Sequence, residues 1–158
     1  MSIFTGEELV EFVSEKIGIH YVFGVKPWWG VLTYRHIEYL VALYPDIFSE
    51  DYLKLISPCI GKICTDCSGL ICWYTGVSIS STQMYEQASE RHEIDMVDIS
   101  NIKKGCILWK PGHVGVYIGN GECIEARGVK YGTLKTSLQE RYFTHWLMLQ
   151  DFVYDNYH

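Results

Sequence analysis

Cys67, His113 and Glu125 are the side chains whose types and spacing could together perform nucleophilic catalysis. A thiol attacks as its thiolate, and a free cysteine, with a pKa of about 8.5, is mostly protonated at neutral pH. Cys67 sits in Thr65-Asp66-Cys67-Ser68-Gly69, where Thr65 or Asp66 can cap a helix that starts at the cysteine. The unpaired N–H groups and the dipole of a helix start favour an anion, and a nearby His113 imidazolium would favour it further. Ser68 and Gly69 are small enough for a substrate carbonyl to come close. The Cys67 N–H could help to bind an oxyanion.

Whether His113 has an orienting partner depends on the register of a hairpin. Residues 113–118 and 122–127 read as strands joined at Gly119-Asn120-Gly121. A two-residue loop would pair Val116 with Glu125 and mix apolar with charged side chains on each face. A three-residue loop, with Gly121 left-handed as a G1 bulge, pairs Ile118 with Glu122 instead. One face then carries Val114, Val116, Ile118, Ile124 and Ala126; the other carries His113, Gly115, Tyr117, Cys123, Glu125 and Arg127. A one-residue slip would destroy this sorting, so the three-residue loop is expected. Glu125 then lies opposite Gly115 and one diagonal step from His113, roughly 7 Å between backbones. Gly115 leaves room for imidazole and carboxylate to meet, and Arg127 falls directly across from His113. That is the geometry of a base and the group that orients it.

The elements that must carry these residues follow from periodicity. Residues 5–17 predict a helix with Thr5 and Glu8 in a capping-box pattern and Gly18 at its end. Residues 19–23 suggest a short extended piece that runs into Gly24 and Pro27. Helical patterns cover 33–44, stopped by Pro45, and 49–56, stopped by Pro58. The cysteine's own helix spans 67–74 and closes at Gly76, and a weaker helical pattern covers 81–91. Residues 106–109 read as a strand before the Lys110-Pro111-Gly112 turn, and 142–149 as a last core strand. Helices first and strands later point to an α+β domain.

The 158 residues suit one compact domain, and a chain that is 48% hydrophobic and 15% aromatic is expected to be globular. The formal net charge is -6 with no run of lysines or arginines, which excludes nucleic acid as the expected partner. No apolar stretch approaches the roughly 18 residues of a membrane span. The first residues show no basic region before an apolar one, so synthesis in the cytoplasm without a signal peptide is expected. The six cysteines are accordingly expected as thiols. Cys64-x-x-Cys67 has no second pair to complete a metal site, although a Cys64–Cys67 disulfide under oxidation is a secondary hypothesis. Twelve tyrosines and five tryptophans suit a groove for a polar, extended ligand.

In chain order, Tyr21-Val22-Phe23-Gly24, Asp66-Cys67-Ser68-Gly69 and Gly112-His113-Val114-Gly115-Val116-Tyr117-Ile118-Gly119-Asn120-Gly121 resemble the NlpC/P60 peptidases, among the papain-like cysteine peptidases. The resemblance covers most of the chain. It implies a single catalytic domain over 1–158, an antiparallel sheet packed against helices with the nucleophile at a helix N-terminus. It also implies cleavage of peptidoglycan stem peptides, typically at the bond from D-γ-glutamyl to a diamino acid, with no metal or organic cofactor. Cys67 matches the nucleophile, His113 the base and Tyr21 a tyrosine that assists near the oxyanion. Glu125 stands at the third polar position, where the family more often has histidine, asparagine or glutamine.

Asp66, Ser68, Trp28, Trp29 and Arg127 are candidates for substrate binding. Asp66 either caps its helix or grips a substrate amine, and the tryptophans either pack or bind. Compact members lack the insertion at 25–65, which holds two predicted helices and could narrow the groove. The same Cys-His site could serve an amidase or acyltransferase on another acyl compound, or persist in a non-catalytic wall-binding module. Without an export signal, action on the wall is expected after lysis, by another export route, or on wall fragments in the cytosol.

Overall fold

Thr5 begins the first helix as its sequence suggests, its hydroxyl accepting the Glu8 N–H at 3.0 Å. The computed structural model describes residues 3–154. β1 (Phe4–Thr5) leads into α1 (Gly6–Ser14), which buries Leu9 and Val13. The helix ends short of residue 17 because the chain must turn: Gly18, left-handed at φ +97°, donates its N–H to the Thr133 carbonyl at 2.8 Å. The Glu8 side chain does not complete a capping box. It accepts from the Tyr74 hydroxyl at 2.9 Å instead.

β2 (His20–Tyr21) is followed by a 3-10 turn at Pro27–Trp29, α2 (Tyr34–Leu43) and α3 (Glu50–Ile56). Thr33 and Ser49 cap these two helices, which cover the segments that read as helical in the sequence. The segment 25–65 packs with Val22 over a core cluster made further by Val25, Leu32, Leu40, Phe48, Ile56, Cys59 and Cys64. The chain then returns as β3 (Cys64–Thr65), parallel to β2, with Tyr21 beside Thr65. α4 (Cys67–Thr75) starts immediately and ends at left-handed Gly76.

α5 (Ser81–Gln87) is shorter than the predicted 81–91, because β4 (Glu90–Glu93) takes the remainder as an edge strand. Its Glu-Arg-His-Glu sequence is exposed throughout and lacks the apolar alternation that marks a strand; only backbone pairing to a neighbour makes it one. β5 (Ile107–Lys110), β6 (His113–Gly119), β7 (Glu122–Gly128), β8 (Gly132–Ser137) and β9 (His145–Met148) complete an antiparallel six-stranded sheet among the described residues. Its order is β4-β9-β5-β6-β7-β8. β10 (Phe152–Val153) pairs with β1. The fold is α+β, as expected, and the predicted core strand at 142–149 is confined to β9, which lies inside the sheet.

The sheet has two dry faces. Val114, Val116, Ile124 and Ala126 pack against Leu9, Val13, Leu70 and Ile71 from α1 and α4. Tyr117 and Cys123 lie in a second cluster with Leu108, Phe143 and Trp146. The β6–β7 register pairs Val116 with Ile124 and Tyr117 with Cys123, as apolar sorting requires. The turn that achieves it differs from expectation. Asn120 (φ +53°) and Gly121 (φ +74°) form a two-residue loop between paired Gly119 and Glu122, and the extra residue is absorbed by a bulge between Tyr117 and Gly119. The core selects the register, and the backbone finds a second way to reach it.

Candidate active site

The site assembles where α4 meets the start of β6. Asp66 caps α4, its Oδ1 accepting the Gly69 N–H at 2.7 Å. The cap requires a glycine at 69, since a Cβ there would stand 2.6 Å from Thr65 Oγ1 and 2.7 Å from Asp66 Oδ1. Cys67, the first helical residue, is 9% exposed. Its Sγ lies 4.0 Å from the Gly112 carbonyl, and the Val114 N–H acts on the sulfur from the other side of His113. The thiol therefore rests against the backbone that carries the imidazole.

His113 Nε2 meets Glu125 Oε1 at 2.7 Å. Gly115 makes that contact possible, because a Cβ at this position would stand 3.1 Å from Glu125 Cβ and 3.2 Å from Phe143 Cζ. Glu125 is fully buried. Burial alone would raise its pKa, but hydrogen bonds from His113, Arg141 and Thr136 outweigh that cost and bring it down to about 2. Arg141 donates through Nε to Oε2 at 2.9 Å and through NH2 to Oε1 at 2.7 Å, and Thr136 donates to Oε2 at 2.8 Å. With Nε2 directed at the carboxylate, Nδ1 is the ring nitrogen left to exchange a proton with a thiol. The Phe143 ring stacks on the imidazole, with centroids 5.6 Å apart and planes at 15°.

The thiol differs from expectation. Burial, followed by the Asp66 carboxylate, pushes the Cys67 pKa up to about 11, although the Val114 and Ser68 amides and the Lys26 charge pull the other way. The helix start does not outweigh desolvation, so the thiol rests protonated and needs a base during attack. Burial also raises the Tyr21 hydroxyl, and Cys67 and Asp66 raise it further. That phenol stays a donor at neutral pH. The Phe23 N–H donates to the Tyr52 hydroxyl at 3.0 Å, which ties α3 of the insertion to the segment carrying Tyr21.

The remaining sequence candidates divide. Ser68 is buried, with its Oγ 3.4 Å from Lys26 Nζ. Asp66 is already paired, since its Oδ2 accepts from Lys26 Nζ at 2.6 Å. Trp29 packs inside the insertion against His36 and Tyr39. Trp28 is half-exposed and shares a pocket of about 290 Å³ with Cys72, Trp73 and Gly76, at the end of α4 away from Cys67. Arg127 does not meet the Glu125 carboxylate; its guanidinium lies over the Tyr131 ring at 4.1 Å. Cys64 and Cys67 are both free thiols, Cys64 in the cluster of Val22 and Val25 and Cys67 in that of Leu9 and Leu70.

Arg141, Thr136, Phe143 and Lys26 were not singled out by sequence. A buried carboxylate demands a cation and donors, but Thr136 comes from β8, and Arg141 and Phe143 from the segment that follows the 3-10 turn Leu138–Glu140. Leu138 anchors that turn by donating its N–H to the Gly121 carbonyl at 2.8 Å.

Comparison with known proteins agrees with this architecture. The family model of the NlpC/P60 family matches residues 58–150. The chain superposes on the NlpC/p60 domain of the peptidoglycan hydrolase SagA with a TM-score of 0.56 at 20% identity, covering 91% of this chain and 98% of that one. The P60 domain of the Mycobacterium avium subspecies paratuberculosis antigen MAP1204 gives 0.53 at 21% identity, over 91% and 96% of the two chains. NlpC1 from Trichomonas vaginalis gives 0.54 at 19% identity; the match covers 91% of this chain but only 43% of that protein. No curated protein matches by sequence.

Proposed function

This chain belongs to the NlpC/P60 family, and on that footing we propose that it is a cysteine peptidase cutting peptidoglycan stem peptides at the bond from D-γ-glutamyl to a diamino acid. His113 takes the Cys67 proton through Nδ1 as the sulfur attacks the carbonyl. Glu125 holds the Nε2–H and balances the charge that the ring acquires. The Cys67 N–H and the Tyr21 hydroxyl donate to the oxyanion. His113 then protonates the leaving amine, and water activated by the same imidazole releases the acyl group from the thioester. Asp66 and Ser68 shape the rim beside the sulfur. The protein acts wherever stem peptides occur, at the wall or on fragments released from it.

The observation that carries this reading is the buried His113–Glu125 contact at 2.7 Å, set where the Cys67 sulfur touches the backbone on both sides of the histidine. Mass spectrometry of muropeptide digests tests it. Wild-type protein is expected to release products split after D-glutamate, and Cys67→Ala to release none while keeping its fold. Full activity in Cys67→Ala would sink the mechanism. Cleavage of lipid amides in place of muropeptides would move the substrate to another acyl class.

A further inference from the structure

Lys26 lies far from Cys67 in sequence, yet the backbone delivers it to the thiol. Beyond the β2–β3 pairing the chain turns through residues 22–25, and the Asp66 N–H donates to the Val25 carbonyl at 3.0 Å, so residue 26 arrives beside the cap of α4. The ammonium is then fixed between Asp66 Oδ2 at 2.6 Å and Ser68 Oγ at 3.4 Å. Its side chain remains 23% exposed, so the group is anchored without being sealed. An ammonium has three donors, and these two partners leave one directed elsewhere. The Lys26 charge reaches the Cys67 sulfur, where it opposes the Asp66 carboxylate. The other cation of the site, Arg141, is committed through two hydrogen bonds to Glu125.

We propose that Lys26, held in place by Asp66, is a specificity-determining residue that binds a carboxylate on the acyl side of the scissile bond. The inference rests on the peptidase reading above and deepens it. A γ-linked glutamyl residue carries a free α-carboxylate a few bonds from the carbonyl under attack, and that anion suits a fixed ammonium next to the nucleophile. Asp66 serves the lysine and is not free to grip a substrate amine. A substrate ammonium would find its counter-charge taken and a like charge in its place.

The test uses two N-acetylated peptides, identical except that the γ-linked D-glutamyl residue bears either the α-carboxylate or the α-carboxamide. Wild-type protein is expected to favour the carboxylate by about 10- to 100-fold in kcat/KM, the scale of one charge-assisted hydrogen bond. Lys26→Gln is expected to bring the ratio near one, and Lys26→Arg to restore most of it. A merely structural lysine would slow both peptides alike and leave the ratio unchanged, which would overturn the proposal. Equal cleavage of both peptides by the wild type would overturn it too, while leaving the peptidase reading intact. Cleavage of neither would overturn both. If Lys26→Gln does not fold, the salt dependence of the wild-type ratio decides: recognition by charge must weaken as ionic strength rises, and a flat ratio counts against it.

Discussion

Arg141 grips both oxygens of the Glu125 carboxylate, Nε on Oε2 and NH2 on Oε1, beneath a histidine that shares Oε1. The carboxylate therefore sits in a dry sheet face as a charge fully surrounded by donors. A buried charge left without its partner is costly, so the bridge is structural as well as chemical.

Arg141→Met should destabilise the protein by about 3–5 kcal/mol, because it strands a buried carboxylate. Arg141→Lys keeps the charge but not the planar fork and should lose less. Urea unfolding measures both. A methionine variant as stable as wild type would show that the bridge does not hold the carboxylate in place.

Acid should act through the same group. The folded pKa of Glu125 is about 2, below its ordinary 4.5, so its contribution to stability is fully present above pH 4.5 and is lost as pH falls toward 2. In Glu125→Gln, which cannot ionise, the fall in stability across that window should be shallower. Unfolding free energies of both proteins from pH 5 to 2 provide the comparison; parallel curves would contradict it.

Cys67 should alkylate slowly at neutral pH and faster as pH rises, without a plateau below about pH 10, since its pKa lies near 11. Iodoacetamide labelling located by peptide mass, with Cys67→Ala as control, gives the profile. A plateau reached near pH 7 would instead indicate a preformed thiolate.

Gly115→Ala should lower kcat more than it raises KM, because the new methyl forces Glu125 or Phe143 away from the imidazole. A loss of about 10- to 100-fold in kcat is expected, within the range of base catalysis that depends on orientation. Unchanged kcat would mean that the histidine needs no such support.

Much of this site was legible in the chain. Apolar sorting across residues 113–127 was enough to put Glu125 near His113, because a core excludes the wrong face whatever turn is used. The turn itself was misread: one bulged residue has little energetic signature in sequence. The end of α5 and the strand β4 were misjudged for a similar reason, since an exposed edge strand is defined by its neighbour's backbone.

The sequence by itself determined that a capped helix begins at the Cys67 thiol and that His113 and Glu125 share one face of a hairpin. Capping and side-chain alternation are short-range and leave their marks in residue type. Only the tertiary structure decided that this face is dry, that Arg141 rather than Arg127 holds Glu125, and that Lys26 holds Asp66. These pairings join segments separated along the chain, brought together by a loop folding over a sheet and by a parallel strand pair. Their charge pairing and hydrogen bonds offset the cost of desolvation, and no local pattern records that balance.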